Sequence, residues 1–256
     1  MKVLILAGGY GTRISEYTDS IPKPMIEVGG KPLIWHIMQH YAYYGYKEFV
    51  IALGYKGEVF KKYFLDYRYL YSDFTINLFD GSFILHKKNK DDWKITLVDT
   101  GVDTMTGGRI KKLKKYINNS TFLCTYGDAF SDVDIKKLVE FHKKHKKIAT
   151  LTAVRPIARF GELSIDKNIV TSFIEKPQLK KGWINGGFFV FEPTIFDYIK
   201  NSKTMLEREP MEKLSKEKNL IAYCHEGFWK CCDSKKDLGI LQNMWNLNQA
   251  KWVLNK

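Results

Sequence analysis

Apolar residues cluster first at Val3-Leu4-Ile5-Leu6-Ala7, a run that predicts a strand at 2–7. Similar runs predict strands at 48–53 and 121–126, and helically spaced apolar positions predict helices at about 31–44, 57–65 and 132–145. Strands that alternate with helices build a parallel sheet with helices on both faces. The fold class expected is therefore α/β, a mostly parallel Rossmann-like sheet flanked by helices. Ligands of such sheets sit at the carboxyl ends of the strands. The turn after residue 7 and the segment Tyr126-Gly127-Asp128 both fall there, so two distant stretches are expected to meet at one site.

An aromatic-rich stretch from Tyr63 to Trp93 interrupts this alternation. Runs such as Phe74-Thr75-Ile76-Asn77-Leu78 and Phe83-Ile84-Leu85-His86 read as extra strands, and the dense tyrosines suit either core or a subunit contact. After residue 148 the pattern turns β-rich, with runs at 148–155, 162–165, 169–175 and 184–191. Helices follow near 194–200 and 207–217, and a last one starts at about 234. One domain over 1–256 is the simplest organisation: a first part at about 1–130, a β-rich part at about 148–233 and a C-terminal helix at about 234–250.

With 256 residues, 45% of them hydrophobic, the chain can bury a full core. No stretch reaches the roughly 18 apolar residues of a membrane span. Met1-Lys2 leads straight into the first strand, which leaves no room for a signal peptide, so a cytoplasmic location is expected. The four cysteines lack zinc-site or disulfide-scaffold spacing and are expected as thiols. His36 and His40 stand at i and i+4, but no third ligand is placed near them, so a packing or surface role is expected. The net charge of +13 is mostly lysine. These lysines interleave with apolar residues as on the outer faces of amphipathic helices, so neither nucleic acid nor membrane is expected as a partner.

The chemistry concentrates at Gly8-Gly9-Tyr10-Gly11-Thr12-Arg13 and at Pro22-Lys23-Pro24. Glycines let several N–H groups converge on one anion, and two fixed cations stand beside it. The order matches neither the Walker pattern nor the dinucleotide fingerprint. It does resemble the sugar-phosphate nucleotidyltransferases, as do Gly29-Gly30-Lys31-Pro32-Leu33, Met105-Thr106-Gly107-Gly108-Arg109, Thr125-Tyr126-Gly127-Asp128, Arg159-Phe160-Gly161, Phe173-Ile174-Glu175-Lys176-Pro177 and Ile184-Asn185-Gly186-Gly187. Together these narrow the likeness to the branch that joins CTP to glucose 1-phosphate, giving CDP-glucose and pyrophosphate in dideoxysugar synthesis. Two positions depart from that branch. Cys231-Cys232 stands where Pro-Met is expected, and Ala129 follows Asp128 where glycine is usual.

The resemblance implies catalytic roles for Arg13, Lys23 and Asp128. It also implies nucleotide contacts from Leu6, Ala7, Gly8, Gly9, Tyr10, Gly11, Thr12, Arg13, Lys23, Thr104, Arg109 and Gly127. Glu175, Lys176, Asn185 and Gly186 are expected around the sugar phosphate, and Asp128 with Asp233 around Mg²⁺. From the residues alone, Asp233 could equally cap the last helix, and the 104–109 loop could serve as a helix entry for 110–117. A homo-oligomer is expected, with 63–93 as the subunit contact. Two alternatives stay open at this stage: the same chemistry with UTP or dTTP or another sugar phosphate, and a non-catalytic nucleotide-binding or basic interaction protein.

Overall fold

A computed structural model describes residues 1–14, 18–86, 91–156, 162–174 and 182–254, with the side chains of residues 13, 162–165 and 174 excepted. The chain begins with β1 (Val3–Leu6), the short pair β2 (Glu27–Val28) and β3 (Lys31–Pro32), and α1 (Leu33–Tyr43). Next come β4 (Glu48–Leu53), α2 (Gly57–Leu70), the hairpin β5 (Phe74–Ile76) and β6 (Phe83–Leu85), β7 (Lys94–Asp99) and α3 (Thr106–Lys112). The middle holds β8 (Phe122–Tyr126), β9 (Ala129–Ser131), α4 (Ile135–His145) and β10 (Ala149–Val154). A second hairpin, β11 (Glu162–Asp166) and β12 (Ile169–Ile174), precedes the long strand β13 (Ile184–Phe191). The chain closes with α5 (Glu209–Lys216), β14 (Leu220–His225), β15 (Trp229–Cys231) and α6 (Lys235–Asn246).

Seven strands form the main sheet in the order β14-β10-β13-β8-β1-β4-β7. All pairings are parallel except those of β13, which runs against both of its neighbours. The four residues of β1 are buried because both faces of the sheet are covered. Alternation sends Val3 and Ile5 to one core and Leu4 and Leu6 to the other. The first core is closed by Leu33, Ile34, Ile37 and Tyr41 of α1 and by Ile135, Leu138 and Val139 of α4. The second is closed by Ile110 of α3, Leu214 of α5, and Ile195 and Phe196. The α/β architecture read from the sequence is the one observed.

Some boundaries differ from the expectation, each for a local reason. Helix α4 starts at Ile135 rather than 132 because the Asp134 carboxylate caps it, accepting from Lys137 N at 2.9 Å. Helix α2 runs on to Leu70, although Phe60 is its buried residue; its last turns carry the tyrosines of the aromatic stretch. The segment 194–200 is a 3₁₀ helix over Pro193–Tyr198. The extra strands read in 63–93 exist as the β5–β6 hairpin, detached from the main sheet. Among the described residues no helix is long and apolar enough to cross a membrane.

Of the two roles expected, His36 and His40 have the packing one. His36 Nε2 donates to Val28 O and His40 Nε2 to Val133 O, both at 2.8 Å, which ties α1 to the segments on either side of it. Burial pushes both imidazoles down to about 4. Their folded values lie below the unfolded value of about 6.5, so their contribution to stability is complete above that pH and lost as pH falls towards 4. Between pH 6.5 and 5 the expected loss is about 2 kcal/mol per histidine. Urea unfolding across this range should show it, and His40→Asn should flatten the dependence; equal stability at pH 7 and pH 5 would contradict the assignment.

Candidate active site

At the carboxyl end of β1 the chain turns through Gly8, Gly9 and Gly11 into a single 3₁₀ turn at Thr12–Ile14. Gly11 sits at φ +68°, and a Cβ there would lie 2.8 Å from Thr18 Cγ2, so both conformation and space call for glycine. At Gly8 the reason is close approach: a Cβ would fall 2.2 Å from an Arg109 guanidinium nitrogen. That guanidinium is buried beneath the turn. It donates to Gly8 O at 2.9 Å, Leu53 O at 3.0 Å, Thr100 Oγ1 at 2.6 Å, Gly101 O at 2.9 Å and Val102 O at 3.0 Å. Because a trans peptide sets C=O and N–H in opposite directions, holding Gly8 O downwards turns the Gly9 N–H the other way. Arg109 thus stitches together three strand-end loops with its guanidinium donors. The helix entry read for 110–117 begins earlier, at Thr106.

Lys23 stands opposite, in a 3₁₀ turn over Lys23–Met25 that follows the extended Pro22. Its ammonium is buried and lies between two carboxylates, donating to Asp128 Oδ2 at 2.7 Å and to Asp233 Oδ1. Burial works against the charge, but Asp128 and Asp233 outweigh it and raise the Lys23 pKa. The two aspartates are 105 positions apart and meet because β15 pairs antiparallel with β9, with Cys231 opposite Ala129. Cys232 N then donates to Asp128 O at 2.9 Å, which seats Asp233 beside Asp128. Asp233 does not cap α6. Ser234 does, its hydroxyl accepting from Asp237 N at 3.2 Å. The two departures from the resembled branch are therefore cross-strand neighbours. Cys231 also approaches Asp233, Sγ to Oδ2 at 3.6 Å, and burial with the nearby Asp233 and Asp128 pushes its thiol up to about 11.

These groups share one cavity of about 720 Å³. Its wall includes residues 6–12, Lys23, Thr104, Arg109 and Gly127 from the nucleotide set, Asp128 and Asp233 from the metal pair, and Asn185 and Gly186 from the sugar set. The Arg13 side chain, Glu175 and Lys176 lie outside the described residues. Thr104 lines the cavity while its own hydroxyl donates to Thr100 O at 2.5 Å. Sequence reasoning missed Tyr126, Glu207, Trp229 and Cys231 as cavity residues. Tyr126 stood inside a quoted motif placed at the site, but without a role of its own, whereas nothing distinguished Glu207 within Leu206-Glu207-Arg208-Glu209 from a solvated charge run. Trp229 closes the wall by donating from Nε1 to Gly186 O at 2.8 Å.

The chain that builds this cavity matches the nucleotidyl transferase family model over residues 2–251 and belongs to that family. It is 47% identical over 253 residues, 98% of each chain, to a glucose-1-phosphate cytidylyltransferase of Salmonella typhi. Mannose-1-phosphate guanyltransferase 2 of Candida glabrata is 31% identical, over 93% of this chain and 62% of that protein. Among solved structures, HddC from Yersinia pseudotuberculosis complexed with GMP-PN superposes with a TM-score of 0.70 at 24% identity, covering 95% of this chain and 99% of that one. CTP:phosphocholine cytidylyltransferase from Streptococcus pneumoniae gives a TM-score of 0.62 at 19% identity, over 95% and 98% of the two chains.

Proposed function

We propose that the chain catalyses transfer of CMP from CTP to α-D-glucose 1-phosphate, giving CDP-glucose and pyrophosphate by a single in-line displacement at the α-phosphorus. The observation that carries this reading is the meeting of Lys23, Asp128 and Asp233 opposite the glycine turn in one cavity, in a chain 47% identical to a glucose-1-phosphate cytidylyltransferase over nearly its whole length. The attacking phosphate has a second pKa of about 6 and is largely dianionic at neutral pH, so no general base is needed. The obstacle is repulsion between that dianion and the triphosphate. Lys23, a compact ammonium on a short proline-flanked turn, is suited to stand between the two reacting phosphates, and the N–H groups of residues 8–12 are suited to the departing pyrophosphate. Arg13 is assigned to the same leaving group.

Asp128 and Asp233 suit magnesium: their oxygens already converge on one cation, Lys23, and magnesium takes one or two protein carboxylates with phosphate oxygens and water. When bound, the metal supplies further positive charge against the phosphates. Asn185, Gly186, Glu175 and Lys176 are assigned to the acceptor, the first two on the cavity wall. We read residues 1–256 as one catalytic unit, with nucleotide recognition in about 1–130 and acceptor recognition in about 148–233. We also infer a cytoplasmic homo-oligomer. The β5–β6 hairpin exposes Phe74, Ile76 and Phe83 on one face, an apolar surface suited to a second copy, and Ile76→Lys should shift sedimentation towards the monomer.

The decisive assay sets CTP, UTP, dTTP and GTP against glucose 1-phosphate and other sugar 1-phosphates, with pyrophosphate release as readout. CTP with glucose 1-phosphate should be the fastest pair, and EDTA should abolish it. Silence with CTP and turnover with another nucleotide would move the reading to that nucleotide. Binding of CTP without pyrophosphate release would mark a non-catalytic protein.

A further inference from the structure

Asp128 and Asp233 have a cation to hold, but Glu207 lines the same phosphate-receiving cavity with no cation at hydrogen-bond distance among the described residues. The groups that hold Glu207 are neutral donors. Tyr126 OH donates to Oε1 at 2.5 Å, and Thr106 Oγ1 donates to Oε2 at 2.6 Å. Both holders are themselves fixed. Thr106 Oγ1 accepts from Leu206 N at 2.9 Å, and the Tyr126 ring packs edge-on to Phe189 with centroids 5.6 Å apart. The ring also lies over Gly187, where a Cβ would come within 2.5 Å of it. Burial and the adjacent Glu207 push the Tyr126 phenol far above its ordinary range, so it stays a donor.

An ionised carboxylate has about four acceptor sites. Tyr126 and Thr106 each engage one oxygen, which leaves acceptor capacity on the side lining the cavity. Hydroxyl groups donate to such a carboxylate without adding negative charge, and a sugar ring carries several. Two sugars enter the proposed reaction, the acceptor hexose and the ribose of the nucleotide. Asn185 favours the acceptor. Its Oδ1 accepts from Gly187 N at 2.9 Å, which fixes the amide, and its Nδ2 faces Tyr126 OH at 3.4 Å. Tyr126 therefore joins Glu207 to the wall assigned to the acceptor.

We propose that Glu207, held by Tyr126 and Thr106, reads hydroxyl groups of the acceptor sugar, with Tyr126 as its positioning residue. This rests on the reading of the chain as a sugar-phosphate nucleotidyltransferase. A site built to bond a hydroxyl rejects the analogue that lacks it, because its polar groups are left unpaired. The test measures kcat and KM of wild type, Glu207→Gln, Glu207→Ala and Tyr126→Phe. Acceptors are glucose 1-phosphate and its 2-, 3-, 4- and 6-deoxy analogues; nucleotides are CTP and 2′-deoxy-CTP. Wild type should disfavour at least one deoxy acceptor by about 100-fold or more, and both Glu207 variants should bring that ratio close to unity. KM for glucose 1-phosphate should rise by about 10- to 100-fold in Glu207→Gln, with a smaller change in kcat and an unchanged ratio of CTP to 2′-deoxy-CTP. Tyr126→Phe should lose part of the acceptor discrimination and leave KM for CTP as it was. Thermal unfolding of the near-isosteric Glu207→Gln controls for folding. Acceptor ratios that survive in the Glu207 variants, or a change confined to the ribose ratio, would overturn the proposal. A wild type inactive with every acceptor would instead sink the proposed function.

Discussion

Lys23→Ala is expected to lower kcat by about 30- to 1,000-fold, the equivalent of about 2–4 kcal/mol, with a much smaller change in KM for CTP. The ammonium touches both aspartates, and it reaches them from a turn whose residues are buried. Charge on the two reacting phosphates peaks in the transition state, so an ammonium suited to that point acts mostly on turnover. Lys23→Arg should not restore the rate, because a planar fork cannot take the place of a compact charge in this narrow setting. Steady-state kinetics checks both variants. A Lys23→Ala enzyme with wild-type kcat would remove Lys23 from the mechanism.

The second large effect is on stability. Arg109→Met should cost about 2–4 kcal/mol, since it removes the donors to Gly101 O and Val102 O and takes one partner each from Gly8 O, Leu53 O and the Thr100 hydroxyl, which keep Tyr55 N, Thr100 and Leu53 O respectively. Methionine fills much of the volume but accepts the place of none of those donors. The same substitution leaves the peptide after Gly8 held by Tyr55 N alone, so affinity for CTP should fall along with stability. Urea unfolding and equilibrium nucleotide binding measure the two effects. Full stability with weakened binding would instead make Arg109 a plain ligand contact, as the sequence had suggested.

The sequence made the middle of the sheet legible because β1, β4 and β8 are covered on both faces and read as mostly apolar runs. Its edges were not legible. Strands β7 and β14 flank the sheet, and half-buried positions such as Ile95, Leu97, Leu220 and Ile221 alternate too weakly to be recognised. Strand β15 spans just Trp229–Cys231, too short to carry a period, yet its pairing with β9 is what brings Asp233 to Asp128. Asp233 read equally as a cap of the last helix, because the hydrogen bond that gives that role to Ser234 depends on backbone geometry at the helix start. Glu207 was invisible because its role depends on Tyr126 and Thr106, 81 and 101 positions away. The charged motifs were legible because glycine, lysine and aspartate types in that order suit one chemistry, phosphate handling, whatever holds them together.

Competition for the two aspartates is the sharpest check on the central claim that Lys23, Asp128 and Asp233 form a single charge-handling unit. Manganese binding, followed by electron paramagnetic resonance in the absence of nucleotide, measures it directly. Lys23→Ala should bind Mn²⁺ more tightly than wild type, because the ammonium no longer occupies Asp128 and Asp233, while Asp128→Asn and Asp233→Asn should each bind it more weakly. Unchanged Mn²⁺ affinity in Lys23→Ala, together with undiminished affinity in the two asparagine variants, would contradict the account.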